Sequence, residues 1–334
     1  MSRVAQVTGS AGIASIALSD EEAPTPGPGE ALVRLHAATL NFRDLIVVKG
    51  LIPGISKPGA LVPLSCAAGV VEAVGDGVTR VMPGTRVSPI FDLDWLSGPH
   101  KPTGGRMLGG NYDGAARQRI VVPAQSLVIN SDALGDLEAA TLACAGLTAW
   151  SALTQARPTA PGDWVLAHGT GGVSVAALQL AKAMGAKVAI TSSSDAKLAR
   201  AAALGADVTV NARTHPDWAA QLRRTIGGAQ VANVIDTVGA TQYDDNVSLL
   251  REGGQLSAIG MLGSAFSWTR QDPQVNLAPI AVGSREGHEA MLAFIAAHRI
   301  RPVVDVVYDL ERLADAYRAL ESGAFFGKVG VNLR

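Results

Sequence analysis

Residues 164–259 constrain the fold of this 334-residue chain more than any other stretch. Short apolar runs alternate there with segments of helical length that stop at glycine. Trp164–His168 predicts a strand, Val173–Met184 a helix ended by Gly185, and Lys187–Thr191 a second strand. Asp195–Leu204 predicts a helix stopped by Gly205, and Val208–Asn211 a third strand. Val231–Asp236 and Gln255–Ile259 predict two more strands, separated by helices over Pro216–Ile226 and Tyr243–Leu250. Strands covered on both faces read as continuous apolar runs, and their alternation with helices gives a parallel, doubly wound sheet.

The first strand–helix junction carries the chemistry. It reads VLAHGTGGVS from Val165 to Ser174. Gly169 and Gly171 allow a tight turn and close approach of backbone to a pyrophosphate. Thr170, Gly172 and Val173 complete the turn, and the helix N-terminus offers amide donors and a favourable dipole. Ser174 stands where a third glycine is expected, small enough for the helix to pack near the strand. The turn predicts a dinucleotide site; its alternative is a glycine-rich turn without a ligand. The second strand runs into Thr191, Ser192, Ser193 and Ser194, with no acidic residue at its immediate end. Asp195 follows and reads as the start of the next helix. Three hydroxyls, with Lys197 and Arg200 near, suit a 2′-phosphate, so NADP(H) is favoured over NAD(H). The alternative is that the serines only cap a helix. Asn211, closing the third strand, joins the cofactor candidates.

Composition narrows the rest. Hydrophobic residues make up 48% and charged residues 17%, which supports a buried core and argues against disorder. The formal charge of −1 comes without a basic stripe, so a nucleic-acid partner is not expected. No apolar run reaches the ~18 residues of a membrane span. Two cysteines, Cys66 and Cys144, do not make a disulfide scaffold; reduced thiols and a cytoplasmic setting are expected. A Cys66–Cys144 pair stays open.

Before the sheet, the glycine- and proline-punctuated runs Ala31–Ala37, Gly69–Gly75 and Thr85–Pro89 predict strands of a β-rich, barrel-like domain. Phe91–Gly110 predicts a long irregular loop containing Asp94, Trp95, His100 and Lys101, either over a cleft or as a surface excursion. Asp136–Leu153 predicts helical segments broken near Gly146. After the sheet, Ser284 predicts a cap for a helix over Glu286–His298. Asp309–Leu320 predicts a second helix and Gly327–Val331 a final strand, which can return to the first domain.

These landmarks together resemble the medium-chain dehydrogenase/reductase superfamily over nearly the full chain, closest to its zinc-independent, quinone-oxidoreductase-like alcohol dehydrogenase branch. Asn41-Phe-Arg-Asp44, the Gly69–Gly75 run, Pro83–Val87, Ala145–Trp150, Gly169–Ser174, Gly283–Arg285 and Glu321–Val329 fall in the family's order. The resemblance implies a GroES-like catalytic domain over 1–145, a Rossmann domain over 146–284, and a return to the catalytic domain over 285–334. It also implies an active site in the cleft between domains and a homodimer through the Rossmann domain. The zinc ligands of metal-dependent members match Asn41, Ser65 and Cys144, with Cys66 at an adjoining position. An amide, a hydroxyl and one thiol do not make a zinc site, and the clustered cysteines of the structural-zinc lobe are absent, so neither zinc is expected.

By the same resemblance Asn41 faces nicotinamide and substrate, and Thr148 contacts the nicotinamide. Thr237 and Val238 line its ribose, and Gly260 and Met261 lie near the carboxamide. Gly327 matches the place of a pyrophosphate-binding arginine in some relatives, so Lys328 is a candidate for that charge and Phe326 for covering the cofactor. Arg43 is the nearest cation for an anionic intermediate, or else a salt-bridged scaffold residue. Tyr112, Trp95 and Asp94 are candidates for lining a substrate cleft, each with a surface or core alternative. His36 and His168 read as packing or hydrogen-bonding residues. Without a metal Lewis acid, small-molecule substrates that spread charge, such as quinones and α,β-unsaturated carbonyls, are the expected hydride acceptors. A zinc-independent alcohol or aldehyde dehydrogenase is the nearest alternative. A non-catalytic NADPH-binding protein is the alternative from another class. No Gly-x-Ser-x-Gly elbow points to a hydrolase.

Overall fold

The computed structural model describes residues 1–8, 12–100, 105–260 and 273–334. They divide into two compact units, Met1–Leu147 with Val282–Arg334, and Thr148–Ala281.

The chain opens with β1 (Ser2–Thr8), β2 (Ile16–Glu21), β3 (Glu30–Thr39), helix α1 (Phe42–Val48), β4 (Ala60–Leu61), β5 (Cys66–Val74), β6 (Arg86–Pro89), β7 (Arg119–Pro123), β8 (Leu127–Ile129) and α2 (Asp136–Ala140). The break expected near Gly146 is a π-helical turn, Leu142–Gly146, leading into α3 (Leu147–Thr154). The second unit continues with β9 (Trp164–His168), α4 (Gly172–Ala183), β10 (Lys187–Ser192), α5 (Asp195–Ala203), β11 (Val208–Asn211), α6 (Trp218–Thr225), β12 (Val231–Asp236), α7 (Tyr243–Leu249), β13 (Leu250–Ala258) and β14 (Asn276–Pro279). The return to the first unit holds α8 (Arg285–Ala297), β15 (Val304–Asp309), α9 (Leu313–Ser322) and β16 (Lys328–Asn332).

In the first unit, β3 is the hub of a sheet in the order β15-β16-β3-β5-β6-β8, with β7 also paired to β3. A smaller sheet runs β2-β1-β4. The glycines that bracket Gly69–Gly75 have a packing reason. A Cβ at Gly69 would lie 2.0 Å from the Arg34 carbonyl oxygen, and one at Gly75 1.8 Å from that of Gly27. Val33, Leu35, Val71, Val87, Ile120 and Leu127 fill the core, joined by Tyr317, Val329 and Val331 from the C-terminal return. β16 runs antiparallel to β3, pairing Gly330 with Thr39 and Val331 with Ala38. That register brings the start of β16 beside the segment that follows β3, where the Leu40 amide donates to the Val329 carbonyl at 3.0 Å.

The second unit is a parallel sheet in the order β11-β10-β9-β12-β13-β14. The strand order reverses at β9, so the loops after β9, β10 and β12 emerge side by side at the carboxyl ends, where doubly wound sheets take ligands. Leu166, Ala189, Val210, Val234 and Leu256 are buried with Trp218 and Leu222 of α6.

Three expectations change. The helix expected from Asp309 starts at Leu313, because Asp309 closes β15 and a single 3-10 turn intervenes. The fifth strand begins earlier, at Leu250, and β14 adds a sixth that the sequence reading lacked. Ser284 does cap α8, its Oγ accepting from the Gly287 amide at 3.1 Å. Among the described residues, no helix is long and apolar enough to cross a membrane.

Candidate functional site

In the second unit, Gly169 takes a left-handed backbone conformation (φ 72°), and its amide donates to the Thr191 carbonyl at 2.8 Å. Gly171 is the N-cap of α4. The first hydrogen bond of the helix runs from the Val175 amide to the Gly171 carbonyl, so the amides of Gly172, Val173 and Ser174 precede the ladder. A Cβ at Gly169 or Gly171 would meet nothing within 4 Å. Neither glycine is required by a protein neighbour in contact; both leave open space at a helix N-terminus, the arrangement a dinucleotide phosphate fits.

Ser174 has a role the sequence reading did not give it. It is 1% exposed, and its Oγ donates to the His168 carbonyl at 2.5 Å, stapling the first turn of α4 to the end of β9. The Thr237 hydroxyl donates to the same carbonyl at 2.8 Å. A buried polar chain lies beneath. Asn246 Nδ2 donates to Asp236 Oδ2 at 2.9 Å, so its Oδ1 is the acceptor 2.7 Å from His168 Nε2. The ring therefore carries its proton on Nε2, and Nδ1 accepts from the Thr191 hydroxyl at 2.9 Å. Burial holds His168 below the ordinary histidine range, against the opposing pull of Asp236 and Asn246. Asp236 Oδ1 accepts from the amides of Val238 and Gly239, both at 2.8 Å. One set of hydrogen bonds thus ties the loops after β9, β10 and β12. Gly260 packs on this loop: a Cβ there would lie 2.4 Å from the Gly239 nitrogen.

Around the expected 2′-phosphate site, Ser192 is buried and its Oγ accepts from the Ser194 amide at 3.3 Å, while Ser193 is exposed and Ser194 and Lys197 are half-buried. Asn211 departs from expectation. Its amide donates to Asp195 Oδ1 at 2.7 Å and its Oδ1 accepts from the amides of Arg213 and Thr214, so its side chain serves its own turn. Thr148 is buried at the start of the unit. Met261 and Lys101 lie outside the described residues.

In the first unit, the loop after β3 and the start of β5 bring a second polar cluster together. Asn41 Nδ2 lies 3.1 Å from Ser65 Oγ and 3.1 Å from Cys66 Sγ, donating to both. The Ser65 hydroxyl donates to Asp44 Oδ1 at 2.9 Å, and Asp44 Oδ2 accepts from the Asn41 amide at 2.7 Å. Lys328 is 4% exposed; its ammonium donates to the Leu40 carbonyl and, at 2.6 Å, to Asn41 Oδ1. Cys66 and Cys144 are free, buried and packed in one cluster with Ala143. Burial opposes the Cys66 thiolate, but the neighbouring Cys144 thiol, the Lys328 charge and the Asn41 amide outweigh it and hold that thiol below its usual range. The neighbouring Cys66 sulfur, with burial, pushes Cys144 up. Burial lowers Lys328 and raises Asp44; each is partly offset by the opposite charges around it.

This donor set does not fit zinc. Asn41 and Ser65 are spent on each other, on Cys66 and on Asp44, and a buried ammonium sits among them. Among the described residues, no three His, Cys, Asp or Glu side chains gather to hold a metal.

Several expected site residues are placed differently. Lys328 directs its charge at Leu40 and Asn41 rather than at open space for pyrophosphate, because its register on β16 sets it beside them. Phe326 is 1% exposed and packed away. Arg43 takes the scaffold reading. It pairs with Asp44 at 3.3 Å, donates to the carbonyls of Leu108 and Gly109, and lies over the Phe91 ring. Tyr112 packs on the core under the Arg106 guanidinium and lines a cavity of about 330 Å³ with Lys57, Asp113 and Arg117. Asp94 is ion-paired to Arg106 at 2.6 Å, and Trp95 is buried, its indole donating to the Gly98 carbonyl. His36 is 2.9 Å from Asp136. The sequence reading missed Asp44, Asp236 and Asn246. Only Asp44 left a signal, the carboxylate three residues after an N-cap.

Two family models match the chain. A GroES-like alcohol dehydrogenase domain covers residues 27–132, and a zinc-binding dehydrogenase domain covers 172–297. A zinc-type alcohol dehydrogenase-like protein of Schizosaccharomyces pombe is 39% identical over 93% of this chain and 94% of its own. An alcohol dehydrogenase of Moraxella sp. is 32% identical over 95% and 96%. The crystal structure of an NAD-dependent alcohol dehydrogenase superposes with a TM-score of 0.86 at 33% identity, covering 100% of both chains.

Proposed function

The chain belongs to the medium-chain, zinc-binding alcohol dehydrogenase superfamily, and from that premise we propose that it is a metal-free, NADP(H)-preferring oxidoreductase that interconverts an alcohol with its aldehyde or ketone. The open glycine turn at the N-terminus of α4 carries the reading. The relatives' names, alcohol dehydrogenase in two cases and alcohol dehydrogenase-like protein in the third, support the substrate class.

A nicotinamide bound here would give or take the hydride, according to direction. The chain's residues hold and orient. The amides of Gly172, Val173 and Ser174 receive the pyrophosphate, and Ser193 and Lys197 receive the 2′-phosphate. Thr148, Thr237, Val238 and Gly260 border the nicotinamide end. Asn41 is held in one orientation, its oxygen by Lys328 and both its amide hydrogens by Ser65 and Cys66, so it shapes the polar end of the first unit rather than donating to a substrate oxygen.

A second reading, reduction of quinones or α,β-unsaturated carbonyls, is favoured by the same cluster. With no metal to polarise a simple carbonyl, acceptors that delocalise charge need less help. One experiment separates the two. Chelator-treated protein is given NADPH with saturated aldehydes and ketones, enals and quinones, and NADP⁺ with primary and secondary alcohols. Turnover of an alcohol–carbonyl pair supports the first reading, and turnover of enals or quinones alone supports the second. NADPH binding without turnover anywhere refutes both.

A further inference from the structure

We propose that the ammonium of Lys328 stands in for the metal of the zinc-binding relatives: it is the fixed positive charge around which Asn41, Ser65, Cys66 and Cys144 are organised, and it keeps a divalent ion out. The proposal rests on family membership and on this cluster, not on which substrate the enzyme takes.

The four side chains at positions matching the metal-ligand region remain gathered, although no ion could hold them. Asn41 joins Ser65 and Cys66, and Cys66 packs with Cys144. What replaces the central cation comes from the far end of the chain. β16 is held antiparallel to β3, and the Leu40 amide donates to the carbonyl of Val329, next to Lys328. The Lys328 side chain then folds back onto the Leu40 carbonyl and Asn41 Oδ1. This contact fixes which way the Asn41 amide faces, oxygen to the ammonium and NH₂ to Ser65 and Cys66. From there the hydrogen bonds run in one direction: Lys328 to Asn41, Asn41 to Ser65, Ser65 to Asp44. A positive charge at one end and a buried carboxylate at the other polarise that chain along its length. Lys328 also lies close enough to both sulfurs for its charge to bear on each. A divalent ion entering here would meet a buried like charge and an amide already turned to serve it.

The test rebuilds the lost ligands. Asn41→Cys with Ser65→His, beside the native Cys144, restores two thiols and an imidazole. Cobalt(II) is the probe, because thiolate-to-cobalt absorption reports a tetrahedral site without reference to activity. With Lys328 intact, the double variant is expected to bind below about a tenth of an equivalent; adding Lys328→Met should raise this to about one per chain. Lys328→Arg in the same background should still exclude the ion. Stoichiometric cobalt in the double variant overturns the proposal, as does a Lys328→Met triple variant that takes up no more than the double. If the methionine variant fails to fold by far-ultraviolet circular dichroism, Lys328→Gln, which keeps a donor without the charge, replaces it under the same criteria. Turnover of the unaltered protein tests the substrate readings separately, so the two can fail independently.

Discussion

Asn246 is the residue on which the cofactor unit's loop geometry depends most, and its removal gives the sharpest quantitative expectation. It is fully buried, and its amide is the link between His168 and Asp236. Asn246→Ala leaves the His168 Nε2–H and Asp236 Oδ2 without partners, both away from water. Each orphaned buried group costs roughly 1–3 kcal/mol, so the pair predicts about 2–6 kcal/mol, with the upper part more apt because one group is a carboxylate. The small cavity adds to this. The loss should be local before it is global. Asp236 also holds the Val238 and Gly239 amides, and His168 also holds Thr191. Amide hydrogen exchange across β9, β10 and β12 is the appropriate assay, since two units need not unfold together. Protection there should fall about a hundredfold or more, and NADPH should bind about tenfold weaker. Asn246→Asp should not rescue at neutral pH. It can accept from His168 but would set a second carboxylate 2.9 Å from Asp236, which two such groups tolerate only by sharing a proton. Exchange in Asn246→Ala within threefold of the wild type, with NADPH affinity unchanged, would refute the argument that this network positions the loops.

Two further outcomes follow from side chains named above or buried elsewhere. His288 is fully buried, neither ring nitrogen has a hydrogen-bond partner among the described residues, and burial lowers its pKa to about 4. The unfolded chain, with an ordinary histidine near pH 6.5, then binds the proton that the folded chain refuses, so stability falls as pH drops from about 6.5 to about 4, by up to roughly 3 kcal/mol. Urea unfolding of the first unit at pH 7 and pH 4.5 should show that loss, and His288→Leu should flatten it; an unchanged slope would show that His288 is not its source. For the cofactor, Ser193→Asp places a carboxylate at the exposed serine beyond β10 and should weaken NADPH relative to NADH by about tenfold or more. An unchanged ratio in binding titrations would remove the 2′-phosphate from this turn.

The cofactor unit was legible because its physics is local. A strand buried on both faces must be an apolar run, and a helix must stop where glycine leaves the ladder, so β9 to β12 appear within a residue or two of where the sequence sets them. β14 escaped because Asn276–Pro279 begins with a polar residue, ends in proline and is exposed at both ends, so it lacks the apolar run of the inner strands. The first unit was less legible, and α1 shows why. Its Leu45-Ile46-Val47-Val48 run has strand composition and becomes helical because Asn41 and Asp44 start a turn and the core buries its far end. β15 carried a readable period-two pattern, half-buried at Val304, Val306 and Tyr308 and exposed between them, yet the helix signal that follows drew the boundary forward.

The site divides along the same line. A phosphate turn is built from consecutive residues, so Gly169 and Gly171 announce it. The Asn41 cluster is built from residues at 41, 65–66, 144 and 328, and no periodicity connects them. Lys328 makes the point most directly: next to Gly327 in sequence, it looks like a phosphate ligand. Only the antiparallel register of β16 on β3 turns its ammonium onto a residue 287 positions earlier. That register is set by apolar packing of Val329 and Val331 into the core, not by any property of the lysine. The charge of the site is therefore positioned by hydrophobic burial of its neighbours. A substitution that shifts β16, such as a charged residue at Val329, should disturb the Asn41 amide as surely as removal of the lysine.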